Sequence, residues 1–414
     1  MSASRPAAAA WPAAGAPADY VLGHVRAVLP GRVLDEARIV VRDGLIAEVG
    51  PHPSGAGCDL DGRGAMCLPG LVDVHSDALA RELHPRPGAA VPVGFAIRSA
   101  EARLLAAGIT TAYHGVAFQS QSPVGLPIGS PRASEIAASI DERVHAGAAA
   151  AGTSILHRVD VRCPDGLAAL EERIAANPGR VLVVSHEDHT PGQGQYADPA
   201  SMRRWLVAGE GMGEAEAAAH VERLRADRDD RLDLRDQALE RLGELARAGR
   251  IRLFGHDPAS NAEIDELADR GGAVAEFPTT MEAARRARRR GLVVVAGAPN
   301  ALRGGSHAGN VSASELVAAG FVDALASDYL PGAQLAAAVR LARLGLCTLP
   351  EAIGLIGSGP CRAVGLDDRG EITAGRRADL VVADLHGEWP LVHEVLRSSL
   401  SDAAATARTP PRGP

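Results

Sequence analysis

The sequence contains no lysine: all 43 of its basic residues are arginine. That absence excludes Schiff-base catalysis, a Walker-type phosphate loop and a metal bridge built on a carboxylated lysine. Aromatic residues make up only 3% of the 414, and the net charge is -8. An acidic chain with few stacking platforms does not fit a nucleic-acid partner. The five cysteines (Cys58, Cys67, Cys163, Cys347 and Cys361) form no Cys-x-x-Cys pair. They read as reduced thiols of a cytoplasmic protein, not as a disulfide frame or zinc knuckle. No uncharged apolar run approaches the roughly 18 residues a membrane span needs, so no membrane partner is expected.

What is present suffices for a large core, since 46% of the chain is hydrophobic. Residues 1–18, rich in Ala and Pro, read as a disordered tail without the apolar region of a secretory leader, and residues 399–414 read likewise. From Tyr20 to Pro51 short apolar runs alternate with turns. Val21-Leu22 and Ala27-Val28-Leu29 read as separate strands, and Asp43-Gly44 is a strong hairpin signal. Apolar strands then alternate with helical segments, with strand candidates at 71–74, 110–113, 155–161, 181–184, 251–254, 273–276, 293–296 and 324–326. This grammar predicts a (β/α)8 TIM-like barrel of the α/β class over 68–365. A small β-sandwich is expected from 19–67 plus 366–398. Residues 210–249, with Leu224, Leu232, Leu239, Leu242 and Leu245 as apolar positions, predict one or two inserted helices. The basic run 285–290 reads as a solvated helix face.

Chemistry concentrates where the apolar strands end. Leu71 to Val74 runs into His75-Ser76-Asp77, and side chains two apart on a strand share a face, so His75 and Asp77 can reach one divalent ion. Other strand ends carry Ser185-His186-Glu187-Asp188-His189, Gly255-His256-Asp257 and Ser327-Asp328. A single polar strand end is commonplace, but four in one barrel point to a metal site at the strands' C-terminal face.

Several longer stretches sharpen this picture: Pro69-Gly70-Leu71-Val72-Asp73-Val74-His75, His189-Thr190-Pro191-Gly192-Gln193-Gly194-Gln195-Tyr196, Ala275-Glu276-Phe277-Pro278-Thr279-Thr280, the run from Gly297 to Asn310, Ser327-Asp328-Tyr329 and the closing Gly370-Glu371-Ile372 to Leu380 segment. Over roughly residues 20–395 the chain resembles the amidohydrolase superfamily. Within it, these stretches are similar to the diphosphatases that act on a ribose 5-triphosphate bearing a 1-methylphosphonate, in carbon–phosphorus lyase metabolism. The resemblance implies release of pyrophosphate from that small phosphorylated sugar, with one or two divalent ions (zinc or manganese) lowering the pKa of water. His75, Asp77, His189 and His256 are then the metal-ligand candidates, with His186 in reserve for His189, and Asp328 is the catalytic general base. Arg303-Gly304-Gly305-Ser306-His307 reads as a phosphate cradle, because glycines let backbone N–H groups approach an oxyanion and arginine binds it bidentately. Arg86 is a second candidate for the phosphates.

The chain also departs from that pattern. Arg162-Cys163 is followed by Pro164 where an acid would bridge two metals, which leaves Asp165, Asp160 or another carboxylate as the bridge, or a single metal, and His114 stands where an acid is expected. Another amidohydrolase activity, on a cyclic amide or C–N bond, and a non-catalytic binding member of the fold therefore stay open, as does a homo-oligomer.

Overall fold

The computed structural model describes residues 16–400 except 87, 127, 129–131, 197, 307, 308 and 399. Both expected tails fall almost wholly outside the described residues. Ala16, however, packs against the neighbouring sheet, and the Ala18 carbonyl accepts the Gly44 N–H at 2.8 Å.

Five strands precede the barrel: β1 (Tyr20–Leu29), β2 (Arg32–Arg42), β3 (Leu45–Pro51), β4 (Leu60–Asp61) and β5 (Met66–Pro69). The barrel strands are β6 (Leu71–Ser76), β7 (Ile109–Ala117), β8 (Gly152–Asp160), β9 (Leu182–Glu187), β10 (Ile251–His256), β11 (Val274–Glu276), β12 (Val293–Gly297) and β13 (Ala324–Ala326). β14 (Leu380–Asp384) and β15 (Leu391–Leu396) follow. β14 returns to pair with β5, so both ends of the chain share one seven-stranded mixed sheet, ordered β15-β14-β5-β1-β2-β3 with β4 beside β1. The β2–β3 turn has Asp43 at φ 50° and Gly44 at φ 72°, as the right-handed strand twist demands of a two-residue hairpin. The two strands expected within β1 are one. A bulge at His24 (φ 52°), between Leu22 and Ala27, interrupts the alternation without ending the strand.

The eight barrel strands run parallel in sequence order, at the eight predicted positions. Where β13 meets β6, side chains do much of the stitching. Gln334 Nε2 donates to both Val72 O and Leu325 O at 2.8 Å, and Asp73 accepts the Ser327 N–H at 2.9 Å and its hydroxyl at 2.5 Å. Higher up, Asp328 N–H donates to His75 O (2.9 Å) and Asp77 N–H to Asp328 O (2.7 Å). The barrel's closure thus sets His75, Asp77 and Asp328 side by side.

Inside the barrel Val74, Leu156, Val183, Phe254, Val274 and Val295 form an apolar plug. Two residues further along β8, β9 and β10 the same face turns polar, with Arg158, Ser185 and His256. Three helices, Pro199–Glu210, Glu214–Asp229 and Leu232–Arg247, stand between β9 and β10; the last two fill the stretch 210–249, where one or two were expected, and Gly211 (φ 70°) separates them from the first. Leu224, Leu239, Leu242 and Leu245 are buried as predicted, whereas Leu232, the first residue of its helix, is 52% exposed. The basic run is a surface ladder: Arg286 and Arg290 pair with Asp265, and Arg288 with Asp323.

Candidate active site

Two sets of ligand-type atoms face each other above the plug. His75, Asp77 and Asp328 each offer one donor atom within 4.8 Å of the others, and so do His189, His256 and Asp257. β6 and β13 carry the first set, β10 and the loop after β9 the second. Glu276, on β11, links them. His75 Nδ1 and His256 Nδ1 both donate to its carboxylate at 2.8 Å, and Ser185 Oγ donates to it at 2.6 Å. A carboxylate holding Nδ1 of two imidazoles fixes both rings and turns both Nε2 atoms to the far side, a common way of orienting metal-binding histidines. His75 Nε2 then lies 3.5 Å from Asp77 Oδ1, and His256 Nε2 3.5 Å from Asp257 Oδ2.

The backbone contributes as well. Asp257, Phe277 and Asp328 have φ of 52°, 53° and 55°, a left-handed conformation uncommon outside glycine and costing on the order of 1 kcal/mol apiece. Asp257 and Phe277 directly follow β10 and β11, and Asp328 comes two residues after β13. At Asp257 the twist brings into the cleft a side chain that strand alternation would direct away from it.

Electrostatics separate the acids from one another. Burial, then the neighbouring Asp77, pushes the Asp328 carboxyl up to about 6, within reach of a proton-accepting role near neutral pH. Burial works against a charged Asp77, but Arg158 and His75 hold its carboxyl well below the usual range. Burial holds His189 neutral, at about 3, with no hydrogen-bond partner on either ring nitrogen. Burial opposes charge on His256 too, yet Asp257 and Glu276 raise it to about 9. Neutral, unpartnered imidazole nitrogens beside carboxylate oxygens suit a borderline cation such as zinc or manganese.

Neither bridge candidate near Pro164 joins a ligand group. Asp160 is buried and engaged by Arg228 at 2.6 Å and by the Arg162 N–H at 2.9 Å. Asp165 is exposed at the start of the helix Gly166–Ala176. Another buried carboxylate nearby is Glu187, which ends β9 and pairs with Arg158. Alternation along 185–189 carries the signal for Ser185 and Glu187, which share a face; Glu276 stands in a motif quoted above, without a role. His186 belongs to no ligand group, and burial lowers it to about 4. His114 is fully buried with both ring nitrogens unpartnered, outside the cleft lining.

A cleft of about 450 Å³ opens above these residues. Tyr196 and Trp205 form one wall, and Asn300, Arg303, Ser306, Asn310 and Tyr329 the other. The expected cradle is only partly there. Gly304 (φ 79°) ends the helix Ala298–Arg303, and the N–H groups of Gly304 and Gly305 are taken by the Asn300 carbonyl at 3.1 Å. Helix termination consumes the donors an anion would need. Arg303, donating to the Tyr329 hydroxyl, and Ser306 do line the cleft; His307 lies outside the described residues. Arg86 is exposed and does not line the cleft. Arg81 lies closer, its guanidinium 5.1 Å from the Tyr329 ring centre.

No protein-family model matches the chain. The α-D-ribose 1-methylphosphonate 5-triphosphate diphosphatase of Escherichia coli (strain K12) is 35% identical over 371 residues, covering 88% of this chain and 94% of that protein. The chain belongs to this diphosphatase family. Solved structures show the same amidohydrolase architecture at low identity. The 5-methylcytosine deaminase of Klebsiella pneumoniae, liganded with 5-fluorocytosine, superposes with a TM-score of 0.60 at 14% identity, over 91% of this chain and 96% of that one. The N-isopropylammelide isopropylaminohydrolase of Burkholderia multivorans gives 0.56 at 20%, over 91% and 96%. A zinc-bound adenosine deaminase of Xanthomonas campestris gives 0.51 at 17%, over 89% and 85%.

Proposed function

We propose that this chain hydrolyses α-D-ribose 1-methylphosphonate 5-triphosphate to the 5-phosphate and pyrophosphate, in phosphonate catabolism. The observation that carries the reading is the 35% identity to the Escherichia coli diphosphatase, sustained over nearly the full length of both chains. The site supports it with a set of divalent-cation donors at the floor of a cleft whose wall carries Arg303.

His75, Asp77, His189 and His256 would hold the metal, with Asp257 added to that set and Glu276 orienting the two histidines it binds. A divalent ion held there supplies Lewis acidity and lowers the pKa of water. Asp328, raised to about 6, takes the proton of the attacking water, whose oxygen forms the new P–O bond as the anhydride bond between the α and β phosphates breaks. Arg303 and Ser306 face the phosphate oxygens, and a charge-assisted contact from Arg303 contributes about 1.5–3 kcal/mol. Five free cysteines support a reducing, cytoplasmic setting.

The test is turnover of that triphosphate by purified protein supplied with zinc, manganese or magnesium, with pyrophosphate and orthophosphate measured separately. Pyrophosphate as the product, lost on chelation, is expected, and Arg303→Ala should raise KM more than it lowers kcat. Metal-loaded protein inert on ribose 5-triphosphates but active on a cyclic amide or C–N bond would replace this reading with the other amidohydrolase chemistry. Inertness on both would leave a binding protein.

A further inference from the structure

A two-ion centre needs an anionic group reaching both ions, and this chain has no lysine to carboxylate. Glu187 stands where such a group would. Its Oε2 is 3.5 Å from His189 Nδ1, in the second donor set, and its Oε1 is tied through Arg158 to Asp77, in the first. Arg158 is therefore a second link between the two sets, beside Glu276. Its Nη1 lies 3.2 Å and 3.1 Å from the two Asp77 oxygens, while its Nε donates to Glu187.

The neighbouring strand leaves room for this arrangement. On β7, a Cβ at Gly115 would lie 2.5 Å from Asp77 Oδ1 and 3.1 Å from Arg158 Cδ. Any larger residue would push the pair apart. The Arg158 side chain is only 14% exposed and the Glu187 side chain 1%, so this pair is compensated away from solvent, where an unpaired carboxylate would be costly, while Asp77, 28% exposed, faces the cleft.

We infer that Arg158 is a built-in cation standing between Asp77 and Glu187 in place of a second metal ion, and that the centre takes one divalent ion per chain. An arginine remains charged at any working pH, so the compensation is permanent. A guanidinium aimed at developing phosphate charge would also serve the substrate, as a cation in a water-poor site does. This inference rests on the proposed metal-dependent function, but it is tested on metal content rather than on turnover.

The experiment is equilibrium dialysis of the full chain against excess zinc and, separately, manganese, with bound metal per chain measured by plasma mass spectrometry. One ion per chain is expected for the wild type. Arg158→Met, which keeps the stem and removes the charge, should double that to two; Arg158→Gln is the substitute if the methionine variant does not fold. Two ions in the wild type would overturn the inference while leaving the proposed function standing. One ion in a folded, uncharged Arg158 variant would overturn it as well. A wild type that binds no ion at all would instead overturn the metal-dependent function on which the inference rests.

Discussion

The carboxylates of Glu276 and Asp160 are equally sealed from solvent, at 0% and 1% exposure, and both are fully hydrogen-bonded. What differs is the partner. Asp160 binds Arg228 and the backbone of Arg162, and Arg162 in turn holds Asp188 at 2.9 Å and the Arg228 carbonyl at 2.8 Å. These groups bind the inserted helices to the barrel, and none of them lines the cleft. Glu276 binds imidazoles, each of which retains a second nitrogen that faces the cleft. A buried acid is thus assigned to packing or to chemistry by the valences its partners have left over.

The largest expected effect separates catalysis from metal holding within the cleft. Asp328→Asn should lower turnover by about 10²–10⁴-fold, because an amide of the same shape cannot accept the water's proton. Metal content by mass spectrometry should stay at the wild-type value; losing the ion along with turnover would place Asp328 among the essential ligands. On the other side of the comparison, Arg228→Ala strands Asp160 as an uncompensated buried charge and should destabilise the fold by about 3–5 kcal/mol, read from urea unfolding. Metal affinity of the folded fraction should be unchanged.

Glu276→Gln should do the reverse. Metal affinity, measured by calorimetric titration, should fall roughly 10–100-fold, with little change in the unfolding midpoint of the metal-free protein. Equal losses in both measurements would erase the distinction between the two acids.

A milder test concerns His157, a buried histidine on β8 that bonds Val183 O at 2.9 Å and does not line the active-site cleft. Burial foremost lowers it to about 4, below its unfolded value near 6.5. Its contribution to stability is therefore complete above about 6.5 and is lost as pH falls toward 4, at up to about 1.4 kcal/mol per pH unit. His157→Gln should flatten that part of the Tm-against-pH curve; an unchanged slope would assign the acid sensitivity to other buried histidines.

Much of this was legible in the sequence because two periodicities do not mimic each other. Eight short apolar runs separated by helical segments describe a parallel barrel, and polar residues at strand ends describe its mouth. His75, Asp77, His189, His256 and Asp328 lie at that mouth. Three features were out of reach. Asp257 enters the cleft through a left-handed backbone that no alternation rule anticipates. Gly304 and Gly305 read as an anion cradle because two adjacent glycines suit a helix end as well as a phosphate loop. Asp160 and Asp165 drew attention because a bridge was sought next to Cys163, whereas the buried acid nearest the two donor sets on that side is Glu187 of β9, paired with an arginine on β8.

Anomalous diffraction from crystals of the full chain, grown with zinc or manganese, tests the central claim most directly. The account predicts a metal peak at the top of the barrel within coordination distance, roughly 2.0–2.2 Å, of nitrogens or oxygens drawn from His75, Asp77, His189, His256, Asp257 and Asp328, with none beside Asp160. No peak at saturating metal, or a peak held by residues outside the cleft, would contradict it.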